Sequence, residues 1–285
     1  MLIDTHAHLD FPDFGNELDA ILARAAAAGV TRVITIGTTV EGSRRAIALA
    51  EKYPNVFATI GIHPSNADEA DDHCIDQLRE LAAHPRVVAL GEMGLDYHRL
   101  PSLGMLNPKD AVLAEMPFND PREPAAAIRD GAYKARQADV FVQQLELATE
   151  LGLNVVIHER DAWSDTVELL APYAGKLRAV FHCFGKSIDH ASALIDQGHL
   201  VSFTGIVTFK NAQIVQETAA QLPVDAFMFE TDCPYLAPVP HRGKRCEPAF
   251  TRLTAEKIAA LRGEPLDYLA AQTTRTAETF FRFAR

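Results

Sequence analysis

Short, nearly continuous apolar runs rich in β-branched residues alternate along this chain with longer stretches whose apolar positions recur every three to four residues. The short runs predict strands buried on both faces: Leu2–Thr5, Thr31–Gly37, Val56–Gly61, Val87–Gly91, Asn154–Ile157, Arg178–Phe181, His199–Phe203 and Ala226–Glu230. The longer stretches predict amphipathic helices at Glu17–Ala28, Gly42–Lys52, Cys74–Ala83, Ala132–Leu151, Trp163–Tyr173, Ser187–Gln197 and Asn211–Gln221, with two more at Pro248–Leu261 and Pro265–Phe283. Gly29, Gly152, Gly198 and Gly263 stand where helices should stop.

This alternation, carried through 285 residues, places the chain in the α/β class as a single (β/α)8 TIM-type barrel spanning 1–285, with its chemistry at the C-terminal face of the strands. A doubly wound open sheet is the alternative, weakened because no glycine-rich phosphate loop follows the first strand. One segment breaks the rhythm. Arg99–Gly131 holds Pro101, Pro108, Pro117, Pro121 and Pro124 with little helical periodicity. It reads as an insertion after strand four, either a lid or a disordered surface loop.

Composition narrows the picture. A formal net charge of −11 argues against nonspecific nucleic-acid binding over the whole surface, but not against a local basic site such as Arg242-Gly243-Lys244-Arg245. Four scattered cysteines show neither metal spacing nor a disulfide framework, which fits a reducing cytoplasm. Neither a signal-peptide pattern nor a membrane-length apolar run is expected.

Candidate chemistry lies at the strand ends. His6 and His8, two apart on a strand, share a face and make half a metal site. The later strands end in Gly61-Ile62-His63-Pro64, Gly91-Glu92-Met93-Gly94-Leu95-Asp96-Tyr97, His158-Glu159-Arg160, His182-Cys183-Phe184 and Glu230-Thr231-Asp232. In a barrel these ends converge, and a buried cluster of this kind needs compensating cations. The imidazole-plus-carboxylate set suits Zn, Mn, Fe, Co or Ni, and Mg less naturally. Two divalent ions bridged by Glu92 would polarise a substrate oxygen and generate hydroxide near neutral pH, with Asp232 ligating metal and shuttling a proton. His73, His84, His190 and His199 read as surface or structural. Strand alternation turns Cys183 away from His182, and Trp163 and Phe280-Phe281 read as helix packing rather than a base-stacking platform.

These motifs, taken in order from Asp4-Thr5-His6-Ala7-His8 to Glu230-Thr231-Asp232-Cys233-Pro234 and Arg242-Gly243-Lys244-Arg245, resemble the TatD family of metal-dependent hydrolases along nearly the whole chain. The resemblance implies that His6, His8, Glu92 and Asp232 hold one metal and that Glu92, His158 and His182 hold the other. It implies substrate-phosphate contacts from His63 and Arg160, and deoxyribonuclease activity of the 3′–5′ exonuclease type in which a metal-bound hydroxide attacks phosphorus. The implied partner is DNA at single-stranded ends, joined by the Arg242, Lys244 and Arg245 cluster, with no membrane and no stable protein partner. The chain departs from the family pattern in its long Arg99–Gly131 segment and in Cys246, where Asn commonly follows the basic cluster. A hydrolase of a small phosphoester, amide or lactone, and a non-catalytic nucleic-acid- or protein-binding module, are the alternatives.

Overall fold

The computed structural model describes residues 1–103 and 124–283. Its strands are Leu2–Ala7 (β1), Val30–Ile36 (β2), Val56–Ile60 (β3), Val87–Asp96 (β4), Val155–Arg160 (β5), Ala179–Phe181 (β6), Leu200–Phe203 (β7) and Phe227–Phe229 (β8). All neighbours pair in parallel, and the spatial order β1 to β8 follows the chain. A doubly wound sheet reverses its strand order at a switch point. This one never does, and the β1–β8 order closed by the Ala7–Cys233 bridge is that of a barrel.

The helices between and after them are Leu18–Ala27 (α1), Val40–Lys52 (α2), Cys74–Ala82 (α3), Pro124–Leu151 (α4), Trp163–Leu170 (α5), Ile188–Ile195 (α6), Gln213–Gln221 (α7), Thr251–Arg262 (α8) and Leu266–Phe281 (α9). Gly29, Gly152, Gly198 and Gly263 all have left-handed φ values between 65° and 85°, as required where a helix ends. No described helix is long and apolar enough to cross a membrane.

Two apolar cores follow from the two faces of each strand. The outer core packs strands against helices, with Val33, Leu90, Phe141, Val155, Ile157 and Phe203 among its buried members. The inner core fills the barrel floor with Ile3, Ile34, Phe57, Val88, Val156, Val180, Leu200 and Met228, capped by Phe280 and Phe281 of α9. Phe280-Phe281 is therefore packing, as its helical context predicts.

The last seam closes differently. β8 is short, and it meets β1 mainly through residues beyond its own end. Asp232 N–H donates to the His6 carbonyl at 2.9 Å and His8 N–H to the Cys233 carbonyl at 2.8 Å. The barrel is thus closed by the segments that carry candidate ligands.

The structure corrects three boundaries. β4 runs on to Asp96 and β5 to Arg160, beyond their apolar runs. The predicted Arg99–Gly131 loop contains a short turn at Pro101–Leu103, and α4 starts at Pro124 rather than Ala132. A proline is tolerated in a first helical turn, and the alanines after it favour helix. Residues 104–123, with Pro108, Pro117 and Pro121, lie outside the described residues.

Candidate metal centre

Glycine decides how β4 delivers its carboxylates. Gly91 and Gly94 have φ values of 127° and 139°. A Cβ at Gly91 would collide with the Val156 carbonyl, and one at Gly94 with the His158 carbonyl. Only glycine permits this approach, and it lets β4 lie against β5 with Glu92 beside His158. From the other side, α4 clamps the strand tips. Gln137 accepts from Asp96 N–H and donates to the Asp96 carbonyl, and Gln144 does the same for Ile62.

The result is a carboxylate with a separate group of partners on each oxygen. Glu92 Oε2 faces His6 Nε2 at 3.5 Å and His8 Nε2 at 3.8 Å, and Asp232 Oδ1 closes that group at 3.7 and 3.3 Å from the same two nitrogens. Glu92 Oε1 faces His158 Nδ1 at 2.7 Å, His182 Nε2 at 2.8 Å and His63 Nε2 at 3.5 Å. All six expected ligands therefore gather at the mouth of the barrel. His63, expected as a substrate contact, joins them in the group His63, Glu92 and His158.

The electrostatics ask for positive charge. Burial alone would raise the Glu92 carboxyl, but the imidazoles around it, His182 foremost, and the His158 bond hold it well below the usual carboxylate range. Asp232 is likewise held low, against burial, by the His8 bond and the charges of His6, His8 and His182. Burial disfavours protonation of His182, yet Glu92 and Glu230 push its pKa well above the ordinary imidazole value. His158 Nδ1 and His182 Nε2 stand 3.2 Å apart with both aimed at one Glu92 oxygen, so their lone pairs and protons compete for the same space. His6 Nε2 is buried without a hydrogen-bond partner. Divalent cations fit this donor set, since each would take the orphaned lone pairs and balance the carboxylates.

A second ring of buried groups orients the first. Asp4 accepts from Thr231 N–H at 2.9 Å, Thr231 Oγ1 at 2.6 Å and His6 N–H at 3.3 Å, tying β1 to the Asp232 segment. Burial raises the Asp4 pKa to about 8 despite those bonds. Asp96 lies 3.4 Å from His158 Nε2. Glu230 accepts from Cys183 N–H and Ser202 Oγ and lies 3.5 Å from His182 Nδ1. Asp4, Asp96 and Glu230 have no role among the expectations from sequence. The available signal was that each is an acid inside or at the end of an apolar strand, where burial without a partner is costly.

The cysteines are not ligands to these groups. Cys183, just past the end of β6 with a left-handed φ of 48°, places its Sγ 3.6 Å from Thr204 Oγ1, and no cysteine among the described residues joins the candidate metal groups. Cys246 is fully buried, so its departure from the family pattern falls inside the fold rather than on a solvent-facing contact.

Around the mouth, Phe11 stacks on His8 at 4.6 Å, and Tyr235 stands half-exposed beside both. Arg160 ends β5 and is exposed. The basic cluster is partly engaged. Arg245 pairs with Glu17 at 2.8 Å and donates to the Asp13 carbonyl, Arg242 lies over the Phe209 ring, and Lys244 is exposed.

A model of the family described as TatD related DNase matches residues 3–282. YabD of Bacillus subtilis, named as a metal-dependent hydrolase, is 36% identical over 283 residues, covering 99% of this chain and 99% of that protein. A Salmonella typhimurium protein named 3′–5′ ssDNA/RNA exonuclease TatD is 32% identical over 286 residues, covering 98% of each. Among solved structures, YjjV, a TatD homologue from Escherichia coli K12, is similar with a TM-score of 0.83 at 28% identity, covering 99% of this chain and 98% of that one.

Proposed function

The chain belongs to the TatD-related DNase family of metal-dependent hydrolases, and from that premise we propose that it is a two-metal phosphodiesterase that shortens single-stranded DNA from its ends. The observation that carries this reading is the divided carboxylate of Glu92, with His6, His8 and Asp232 near one oxygen and His158 and His182 near the other. Two divalent cations held by these residues would polarise the phosphoryl oxygen, activate water and offset charge on the leaving oxygen.

The side chains divide the remaining work. His63 Nδ1 accepts from Ser65 N–H at 3.0 Å, so in the neutral ring the proton sits on Nε2, aimed into the site. Burial keeps the ring neutral, with a pKa lowered to about 3. A neutral Nε2–H donor suits a phosphate oxygen better than a metal, in keeping with a substrate contact. Arg160, exposed at the tip of β5, serves as the charged partner of the same phosphate. Asp232 is 15% exposed through its side chain against 3% for Glu92, so Asp232 can exchange a proton with solvent. In the reaction water adds in line to phosphorus as the bond to the leaving oxygen breaks. Asp232 takes the water proton and returns it to the leaving oxygen or to solvent.

The test is turnover of end-labelled single-stranded DNA by chelated protein, restored separately with Mg, Mn, Zn, Co, Ni or Fe. Stepwise shortening restored by at least one ion is expected. A protein that turns over a simple ester or lactone under those conditions, yet leaves every oligonucleotide intact, would overturn the nuclease reading.

A further inference from the structure

Outside the ring of imidazoles and carboxylates, an open groove of about 420 Å³ lies against the tips of β4 and β5, lined chiefly by Tyr97, Lys134, Asp161, Trp163, Asp165 and Lys186. It adjoins the metal centre through the chain itself. Tyr97 follows Asp96, and Asp161 follows Arg160. Tyr97 N–H donates to the Arg160 carbonyl at 2.8 Å, which ties the two strand tips together.

The groove pairs two aromatic rings with two ammonium groups. Lys134 Nζ lies 4.3 Å from the Tyr97 ring centroid, and Lys186 Nζ lies 5.4 Å from that of Trp163. Both rings are held in place. Tyr97 donates through its hydroxyl to Asp165 at 2.8 Å, and Trp163 packs near Phe181, Phe184 and His190. The groove's carboxylates already have partners, Asp165 in that bond and Asp161 beside His98 Nδ1 at 2.8 Å. Lys186 shares its charge with Glu159 at 3.2 Å, whereas Lys134 has only the Tyr97 ring among the contacts of the described residues. Trp163 packs beside Phe181, Phe184 and His190 and also lines the groove.

Fixed aromatic rings beside cations are the chemistry that holds an unpaired nucleic-acid strand, with bases stacking and phosphates drawn to the ammonium groups. A duplex keeps its base faces covered, so it cannot use the rings. We propose that this groove binds the nucleotides of single-stranded DNA that follow the one at the metal centre, with bases against Trp163 and Tyr97 and a backbone phosphate near Lys134. This rests on the nuclease reading above and adds to it a binding track along the β4–β5 side of the mouth.

Trp163 is the single tryptophan of the chain, so its emission reports on this groove directly. The first measurement titrates the full-length protein, in chelator, with oligothymidylates two and eight residues long. The eight-mer should quench the emission saturably and more weakly at higher salt, and the two-mer should quench it little. Lys134→Ala should weaken the eight-mer about tenfold. The second measurement is turnover with metal restored. The wild-type KM should fall about tenfold from the two-mer to the eight-mer, and Lys134→Ala should lose most of that gain. Emission that stays unchanged while a labelled eight-mer binds, or a wild-type KM independent of length, would overturn the groove and leave the nuclease reading standing. Failure to cut either oligomer with any ion would remove both.

Discussion

The floor and the mouth of this barrel are built from the same eight strands, and they solve opposite problems. At the floor, Val156 and Val180 join Ile34, Phe57, Leu200 and Met228 beneath Phe280 and Phe281. Two residues further along stand His158, on β5, and His182, just past β6, and four beyond Met228 stands Asp232. The floor is complete without any addition, because apolar side chains need only one another. The mouth is not. It buries carboxylates and imidazoles whose lone pairs and charges are only partly matched among themselves. Stability and function are therefore separated along the strand axis, and substitutions at the two ends should fail in different ways.

The largest effect is expected at the mouth. Glu92→Ala removes the group that both sets of ligands face, and hydrolysis should fall by at least ~10³-fold. Bound metal, measured by elemental analysis, should fall with it. The fold should survive, since the inner core lies below the substitution, so thermal melting in chelator should show a cooperative transition close to that of wild type. Collapse of the fold, or full activity without metal, would erase the contrast between the two ends.

The complementary break is Phe280→Ala at the floor. Phe280 is 1% exposed and caps the inner core, and its loss should destabilise the protein by about 3–5 kcal/mol. Urea denaturation measures that cost. The folded fraction should still bind metal at wild-type stoichiometry. A variant with normal stability and lost metal would show that the two ends are coupled rather than separate.

The same contrast explains what the sequence made legible. Floor and outer core follow from apolar periodicity, so every strand and the stop at each of Gly29, Gly152, Gly198 and Gly263 could be read directly. The candidate ligands were legible because each follows an apolar run, where barrel topology brings strand ends together. Position along a strand was harder. The apolar pattern ends β4 at Gly91, because Glu92, Gly94 and Asp96 look unlike strand, although the two glycines are what let the strand continue beside β5. On β1, Ile3 lines the floor and His6 the mouth although three positions separate them, an odd spacing that simple alternation forbids. A register shift between Asp4 and Ala7 accommodates it, and no residue pattern announces that shift. Asp4, Asp96, Glu230, Gln137 and Gln144 escaped notice for another reason. Their roles depend on partners up to 227 residues away, as in the Asp4–Thr231 bonds, and local pattern, which marks the buried acids, does not name such partners.

The smallest predicted effect sharpens the contrast by placing a titratable group at the wrong end. His199 stands just before β7, 1% exposed, and its Nδ1 accepts from Ala179 N–H at 3.2 Å while its Nε2 has no partner. Burial, with some help from Arg178, lowers its pKa from 6.5 to about 4. The folded chain thus holds a neutral ring over a range in which the unfolded chain binds a proton. Its contribution to stability is present above pH 6.5 and is lost as the pH falls from there toward 4, with a limiting slope of about 1.4 kcal/mol per pH unit for one proton. The imidazoles of the mouth titrate as well, so the informative quantity is a difference. Wild type and His199→Asn, both loaded with metal, should have unfolding free energies that converge by this slope as the pH is lowered through that window, while remaining parallel above pH 7. Curves that stay parallel throughout would mean that the floor tolerates a charged imidazole, and that its apolar character matters less to the fold than its packing implies.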